Sequence, residues 1–147
     1  MSPTFDHIGL ATLDLERSIA FYEDVMGFGF SSRRRLSDGR EQAVFLIGEG
    51  ILVLFQSPSE NYVEKARRVR SGMHHLAFAL EPEDYDGVIE RCETAGVVIM
   101  RQAINSGAQG MGLATYFYDP DGNDIEIKKY DGIPDGFEGF TAEGYHL

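Results

Sequence analysis

The 147-residue sequence predicts an α+β fold made of two βαβββ modules. Three observations carry that prediction. Asp6-His7-Ile8-Gly9-Leu10-Ala11 recurs 68 residues later as His74-His75-Leu76-Ala77-Phe78-Ala79, in the order polar, His, large apolar, small, large apolar, small. Each copy is followed by an acidic segment, an amphipathic helical pattern and a glycine. Each helical pattern is followed by three short runs of strand composition.

The first helix is expected over Asp14 to Met26, with Leu15, Ile19, Tyr22 and Met26 on one stripe, Asp14 as N-cap and Gly27 as the stop. The second is expected over Pro82 to Ala95, with Tyr85, Ile89 and Cys92 facing in and Gly96 as the stop. Pro82 suits a first helical position, where its missing N–H is not needed. Strands are expected at Phe28–Leu36, Gln42–Gly48 and Ile51–Gln56, and again at Val97–Gln102, Leu113–Tyr118 and Asp124–Lys129. Glu49-Gly50 and Asp121-Gly122-Asn123 read as hairpin turns. Residues 1–130 then form one domain of two modules, 1–58 and 72–130. The linker, 59–71, carries a short helix over Ser59–Arg70. The Gly-, Asp- and Glu-rich tail, 131–147, has no clear period.

Composition narrows the class of function. With 43% apolar and 25% charged residues the chain is an ordinary globular protein. Thirteen Lys and Arg stand against 24 Asp and Glu, a net charge of −11. That surface repels phosphate backbones and anionic membranes, so neither nucleic acid nor membrane is an expected partner. It favours cations mildly. No apolar run approaches a membrane span, and Met1 to Asp6 lack the basic and apolar regions of a signal peptide. One cysteine, Cys92, cannot form an internal disulfide and reads as a small buried hydrophobe. A cytoplasmic location is expected.

Strand alternation supplies the functional clue. Ile8 and Leu10 share one face of the first strand, and His7, Gly9 and Ala11 share the other. In the repeat, Leu76 and Phe78 oppose His75, Ala77 and Ala79. The bulky face packs under the helix, while a histidine beside small residues borders a hollow. In Asp124-Ile125-Glu126-Ile127-Lys128 the isoleucines face the helix, which turns Glu126 toward the hollow. A lone inward carboxylate is costly unless paired or metal-bound. Two imidazoles and one carboxylate make a three-ligand site with open positions for water and substrate. The bland alternative is a Glu126 solvated at a strand end and paired with Lys128.

Taken together, Asp6-His7-Ile8-Gly9-Leu10, Phe21-Tyr22 through Met26-Gly27-Phe28, Gly72-Met73-His74-His75-Leu76-Ala77-Phe78 and Tyr116-Phe117-Tyr118-Asp119-Pro120-Asp121-Gly122-Asn123-Asp124-Ile125-Glu126 resemble the vicinal oxygen chelate (glyoxalase, bleomycin resistance and extradiol dioxygenase) superfamily over about residues 4 to 130. The resemblance implies that the two modules form a glyoxalase-like, cup-shaped mixed sheet around a divalent metal held by His7, His75 and Glu126. Fe, Ni, Mn and Zn all suit such a set. It also implies a homodimer acting on a small-molecule substrate, with the ligands meeting within a chain or across the dimer. A fourth family ligand position aligns with Leu54, which cannot coordinate; Gln56 faces the same side.

Tyr116, ten residues before Glu126, matches a family tyrosine beside the metal-bound substrate. Glu41-Gln42 resembles an epimerase segment carrying a proton-transfer glutamate, which makes Glu41 a general-base candidate. Gly107, Gly110 and Gly112 resemble a substrate-covering loop or an ordinary turn. Arg33-Arg34-Arg35 reads as a charge-guarded edge strand. His74 is expected to point away from the site. Lewis-acid lyase, isomerase or addition chemistry is the leading reading. An Fe(II) extradiol-type dioxygenase and a non-catalytic, bleomycin-resistance-like binding protein are the alternatives.

Overall fold

The structure, a computed structural model, describes residues 3–57, 73–137 and 140–141. The chain forms two units: one of residues up to Gly72 together with Pro120–Gly122, the other of Met73–Asp119 and the residues from Asn123 onward.

Unit one runs β1 (His7–Thr12), α1 (Leu15–Ala20), β2 (Gly29–Arg35), β3 (Glu41–Ile47) and β4 (Gly50–Gln56). Its sheet has the order β1-β4-β3-β2, with β1 parallel to β4 and the other pairs antiparallel. A parallel pair needs a long crossover, which α1 and the β2–β3 hairpin provide. Asp14 caps α1 by accepting from the Arg17 N–H at 3.0 Å. The helix then widens into a π-helical turn over Phe21–Val25, closed by the Met26 N–H on the Phe21 carbonyl at 3.0 Å. The widened turn buries Phe21, Tyr22, Val25 and Met26 together, a broader face than the expected α-helical stripe. The Tyr22 and Phe45 rings lie 6.1 Å apart, so the helix covers the Phe45 face of the sheet.

That contact fixes the sidedness of every strand in the unit. Leu10, Ala43, Phe45, Leu52 and Leu54 face the helix and are buried. His7, Gly9 and Ala11 lie on the other face with Ile51, Val53 and Phe55, their register partners. β2 is an edge strand. Its Arg33 pairs with Glu16 and Glu41, and Arg35 with Glu41, so charge guards that edge as expected.

Unit two runs β5 (Leu76–Ala79), α2 (Pro82–Ala95), β6 (Arg101–Gly107), β7 (Gly110–Tyr118), β8 (Asp124–Lys129) and β9 (Phe140–Thr141). The strand order is β5-β8-β7-β6-β9. β5 and β8 pair in parallel, as β1 and β4 do, so the sequence repeat is a structural repeat. Helix α2 has the expected bounds and ends on Gly96 at φ +70°, a left-handed conformation that glycine adopts without strain. Its buried stripe is Tyr85, Val88 and Cys92 rather than Tyr85, Ile89 and Cys92. The Tyr85 hydroxyl bonds the Thr115 hydroxyl, which places α2 on the Thr115 face of the sheet.

Two expectations shift, at β6 and in the tail. The second strand of the repeat is Arg101–Gly107, not Val97–Gln102. Val97 to Ile99 are apolar and β-branched, but Val98 is 76% exposed, and pairing with β7 is what sets the strand. Of the two readings of Gly107, Gly110 and Gly112, the ordinary turn holds: they lie in a β-hairpin in which Gly107 pairs with Gly110, which sits at φ +101°. The tail contributes β9, parallel to β6. Backbone pairing along an edge needs no side-chain period, so the tail carries no signal for it. The helix expected over Ser59–Arg70 lies outside the described residues. Among the described residues no helix is long and apolar enough to cross a membrane.

Asp121 anchors the Pro120–Gly122 turn in unit one. Its buried carboxylate accepts from the Leu13 N–H at 3.1 Å and the Ser18 hydroxyl at 2.9 Å, with Arg17 at 3.8 Å. Asp121→Ala strands these donors and is expected to cost about 1–3 kcal/mol, read as a lower urea midpoint. Burial pushes the Cys92 thiol up to about 11. The folded state thus holds a proton that the unfolded chain releases near its ordinary value. The resulting stability is complete below that value and disappears as the pH rises through about 11. Urea unfolding at about pH 8 and about pH 10.5 should show a larger alkaline loss for wild type than for Cys92→Ala.

Candidate functional site

One row of side chains crosses the sheet of unit two on the face opposite α2. Arg101 of β6 lies across from Tyr116 of β7, Tyr116 across from Glu126 of β8, and Glu126 across from Ala77 of β5. The next row on the same face is Ala103, Ala114, Lys128 and Ala79. Ile125 and Ile127 are fully buried on the α2 side, and period-2 alternation forces Glu126 onto the other. The small Ala77 and Ala79 remain exposed and leave room beside it.

Glu126 is 4% exposed, so it is not the solvated strand-end carboxylate of the bland alternative. The His75 Nε2 lies 2.9 Å from its Oε2. The Lys128 Nζ lies 3.8 Å from its Oε1, so the expected lysine neighbour is there but farther off than the imidazole. The other nitrogen of His75, Nδ1, is 2.8 Å from the Nδ1 of His74, and the two rings meet edge to face. His74 therefore supports His75 instead of pointing away. Both residues precede β5, where strand alternation does not yet apply.

Tyr116 is packed on two sides. Its ring meets His75 edge-on at 6.0 Å, and the Arg101 guanidinium stacks 4.1 Å from its centroid. The Asn105 amide donates to its hydroxyl at 2.6 Å. Burial raises the phenol above its ordinary value, and the negative charge of Glu126 pushes it further the same way. Tyr116 is therefore a neutral O–H donor at physiological pH.

The other expected residues lie in unit one. His7 opens β1 at the position matching His75, and its Nδ1 bonds the Asp6 carboxylate. The ladder register also corrects the fourth position. Gly9 pairs with Val53 as Ala77 pairs with Glu126, so the counterpart of Glu126 is Val53, not Leu54. Leu54 and Gln56 face the helix side, and the Gln56 side-chain Oε1 accepts from the Glu41 N–H at 3.3 Å. Valine coordinates no better than leucine.

Glu41 does not share the face of His7. It shares a face of β3 with Ala43 and Phe45, under α1, whereas Gln42 and Val44 share the face of Val53 and His7. The Arg33 guanidinium, with help from Arg35, holds its carboxyl below the usual range. A carboxylate so paired is an ion-pair partner and a poor general base. Among the described residues no group of three or more His, Cys, Asp or Glu side chains is gathered closely enough to hold a metal ion.

Comparison with known proteins gives this geometry its context. Residues 4–127 match the model of the Glyoxalase/Bleomycin resistance protein/Dioxygenase superfamily. The chain is 29% identical over 127 residues to the glutathione transferase FosA of Serratia marcescens, covering 86% of this chain and 81% of that one. It is 34% identical over 126 residues to a virulence protein of Salmonella typhimurium, covering 85% and 83%. A mutant of the fosfomycin resistance protein FosX from Listeria monocytogenes, solved with Mn(II) and a dihydroxypropylphosphonic acid, shares the fold. Its TM-score is 0.62 at 21% identity, over 87% of this chain and 93% of that one. With its two βαβββ modules and a family match across most of its length, the chain belongs to the glyoxalase/bleomycin resistance protein/dioxygenase superfamily.

Proposed function

We propose that the protein is a divalent-metal-dependent enzyme that acts on a small oxygen-bearing organic substrate by Lewis-acid addition or rearrangement chemistry. Its ligands are His7, His75 and Glu126, with His7 supplied by the same chain or by a second copy in a homodimer. The observation that carries this reading is the buried Glu126 carboxylate, 2.9 Å from an imidazole and bordered by small side chains. A carboxylate and imidazoles are the donor types that Mn, Fe, Ni and Zn accept. The relationship to FosA and the Mn(II) found with FosX support the same class of chemistry.

A divalent ion supplies Lewis acidity toward substrate oxygens. The chain's residues do the rest. His74 holds the His75 ring through its Nδ1. Tyr116 presents a neutral hydroxyl on the face of Glu126 and donates its proton in a hydrogen bond to a substrate oxygen. Arg101, stacked on the Tyr116 ring, restrains that ring. The exposed Ala77 and Ala79 leave the face accessible to a small molecule. Glu41, committed to Arg33 on the other face of its sheet, takes no part.

Elemental analysis after reconstitution with Fe(II), Ni(II), Mn(II) or Zn(II) tests the proposal. Wild type is expected to retain about one ion per chain. Glu126→Ala and His7→Ala should lose most of it, and Tyr116→Phe should keep it. Equal, negligible metal in wild type and Glu126→Ala would overturn the metal centre.

A further inference from the structure

We infer that Asn105 and Lys128 are positioning residues that aim the Tyr116 hydroxyl proton toward Glu126 and the open face beside it. The inference rests on the proposal that Tyr116 is the substrate-facing donor.

The direction follows from which groups can accept. A lysine ammonium has three donors and no acceptor. The Lys128 Nζ contacts the side-chain oxygen of Asn105, the Asn105 carbonyl at 2.7 Å and the Gly112 carbonyl at 3.5 Å. The amide atom facing Lys128 must therefore be Oδ1. That leaves Nδ2 facing Tyr116 at 2.6 Å, and an amide nitrogen only donates. The Tyr116 oxygen must accept this bond, so its own hydrogen lies on another side. Glu126 stands directly across the ladder from Tyr116. Were the Asn105 amide turned over, the phenol would spend its proton on Oδ1 and offer the site only a lone pair. Lys128 forbids that turn.

The local sequence is built to let Lys128 reach. The side chain is buried on a face whose row neighbours are Ala79, Ala103 and Ala114. Its stem crosses Gly107, where a Cβ would meet Lys128 Cε at 2.9 Å. At Gly112 a Cβ would meet the Tyr130 ring at 2.8 Å. These glycines are thus the floor under Lys128 and Tyr130. All three ammonium donors are engaged with Asn105 and Gly112, so Lys128 has none to offer a ligand. It acts through Asn105.

Vibrational spectra of metal-free protein test the inference, because the tyrosine ring doublet distinguishes a hydroxyl that accepts from one that only donates. The difference between wild type and Tyr116→Phe isolates Tyr116. The expected signature is a hydroxyl that both accepts and donates. Asn105→Asp keeps a partner for Lys128 but presents an acceptor to the phenol, so the signature should shift to donor-only. Lys128→Met frees the amide to turn and should give a mixture of the two. A donor-only signature in wild type, or no shift in Asn105→Asp, would overturn the inference. The Asn105 side-chain amide in wild-type NMR spectra gives a second reading that needs no foldable variant: slow solvent exchange supports the bond to Tyr116, and free exchange overturns it. These readings need no metal, so they are decided separately from the metal content that decides the proposed function.

Discussion

The constraint that organises unit two is the cost of burying the Glu126 carboxylate. An ionised carboxylate out of water is tolerated only when charge or hydrogen bonds replace its hydration. Here an imidazole at 2.9 Å, an ammonium at 3.8 Å and a phenol on the neighbouring strand share that task. Each of these groups needs its own support. His75 leans on His74, Lys128 on the carbonyls of Asn105 and Gly112, and Tyr116 on Asn105 and Arg101. The polar network is thus traceable outward from one carboxylate, and Gly107 in the β6–β7 hairpin leaves the space that the Lys128 stem occupies.

The same fold in unit one carries almost none of this. Val53 stands where Glu126 stands in the repeat, and Gly9 and Ala11 border an apolar row. Without an inward carboxylate there is no demand for a lysine, a tyrosine or an asparagine nearby. His7 is the polar residue that matches one in the repeat, and it lies at the strand end, with its side chain 55% exposed. Two modules with one backbone plan therefore differ: one carries a single half-exposed imidazole, and the other builds a supported imidazole–carboxylate pair.

Much of this was legible in the sequence, and the failures have specific physical causes. The repeat of His-large-small-large placed β1 and β5 and the inward turn of Glu126, because alternation in a strand buried on one face is unambiguous. Alternation was less informative in β4, where Ile51 to Phe55 are all apolar. Either parity fits such a run, and only pairing with β1 identifies Val53 over Leu54. The face of Glu41 was hidden for a related reason. It begins its strand, and the helix contact that sets its face comes from Glu16 and Tyr22, which pattern alone does not dock. His74 failed because it precedes the first paired residue of β5. Lys128 showed only as a possible neighbour of Glu126, and Asn105 gave no signal. Their roles come from a cross-strand reach over glycines that no linear period encodes. The one available hint was a lysine at the same parity as an inward glutamate, in a strand whose other parity is isoleucine.

Lys128 and Tyr116 also bear on the charge of the proposed centre. Two neutral imidazoles and one carboxylate neutralise only part of a divalent ion, leaving net positive charge at the open positions. Lys128 works in the same direction from beneath, since it partly offsets Glu126 while its donors stay committed to carbonyls. The Tyr116 proton, turned away from Asn105, then adds a donor where a substrate oxygen would sit. A buried lysine and an oriented phenol, on neighbouring strands of unit two, thus favour one ligand property at the proposed centre: electron density on oxygen, recognised by an otherwise strongly acidic protein.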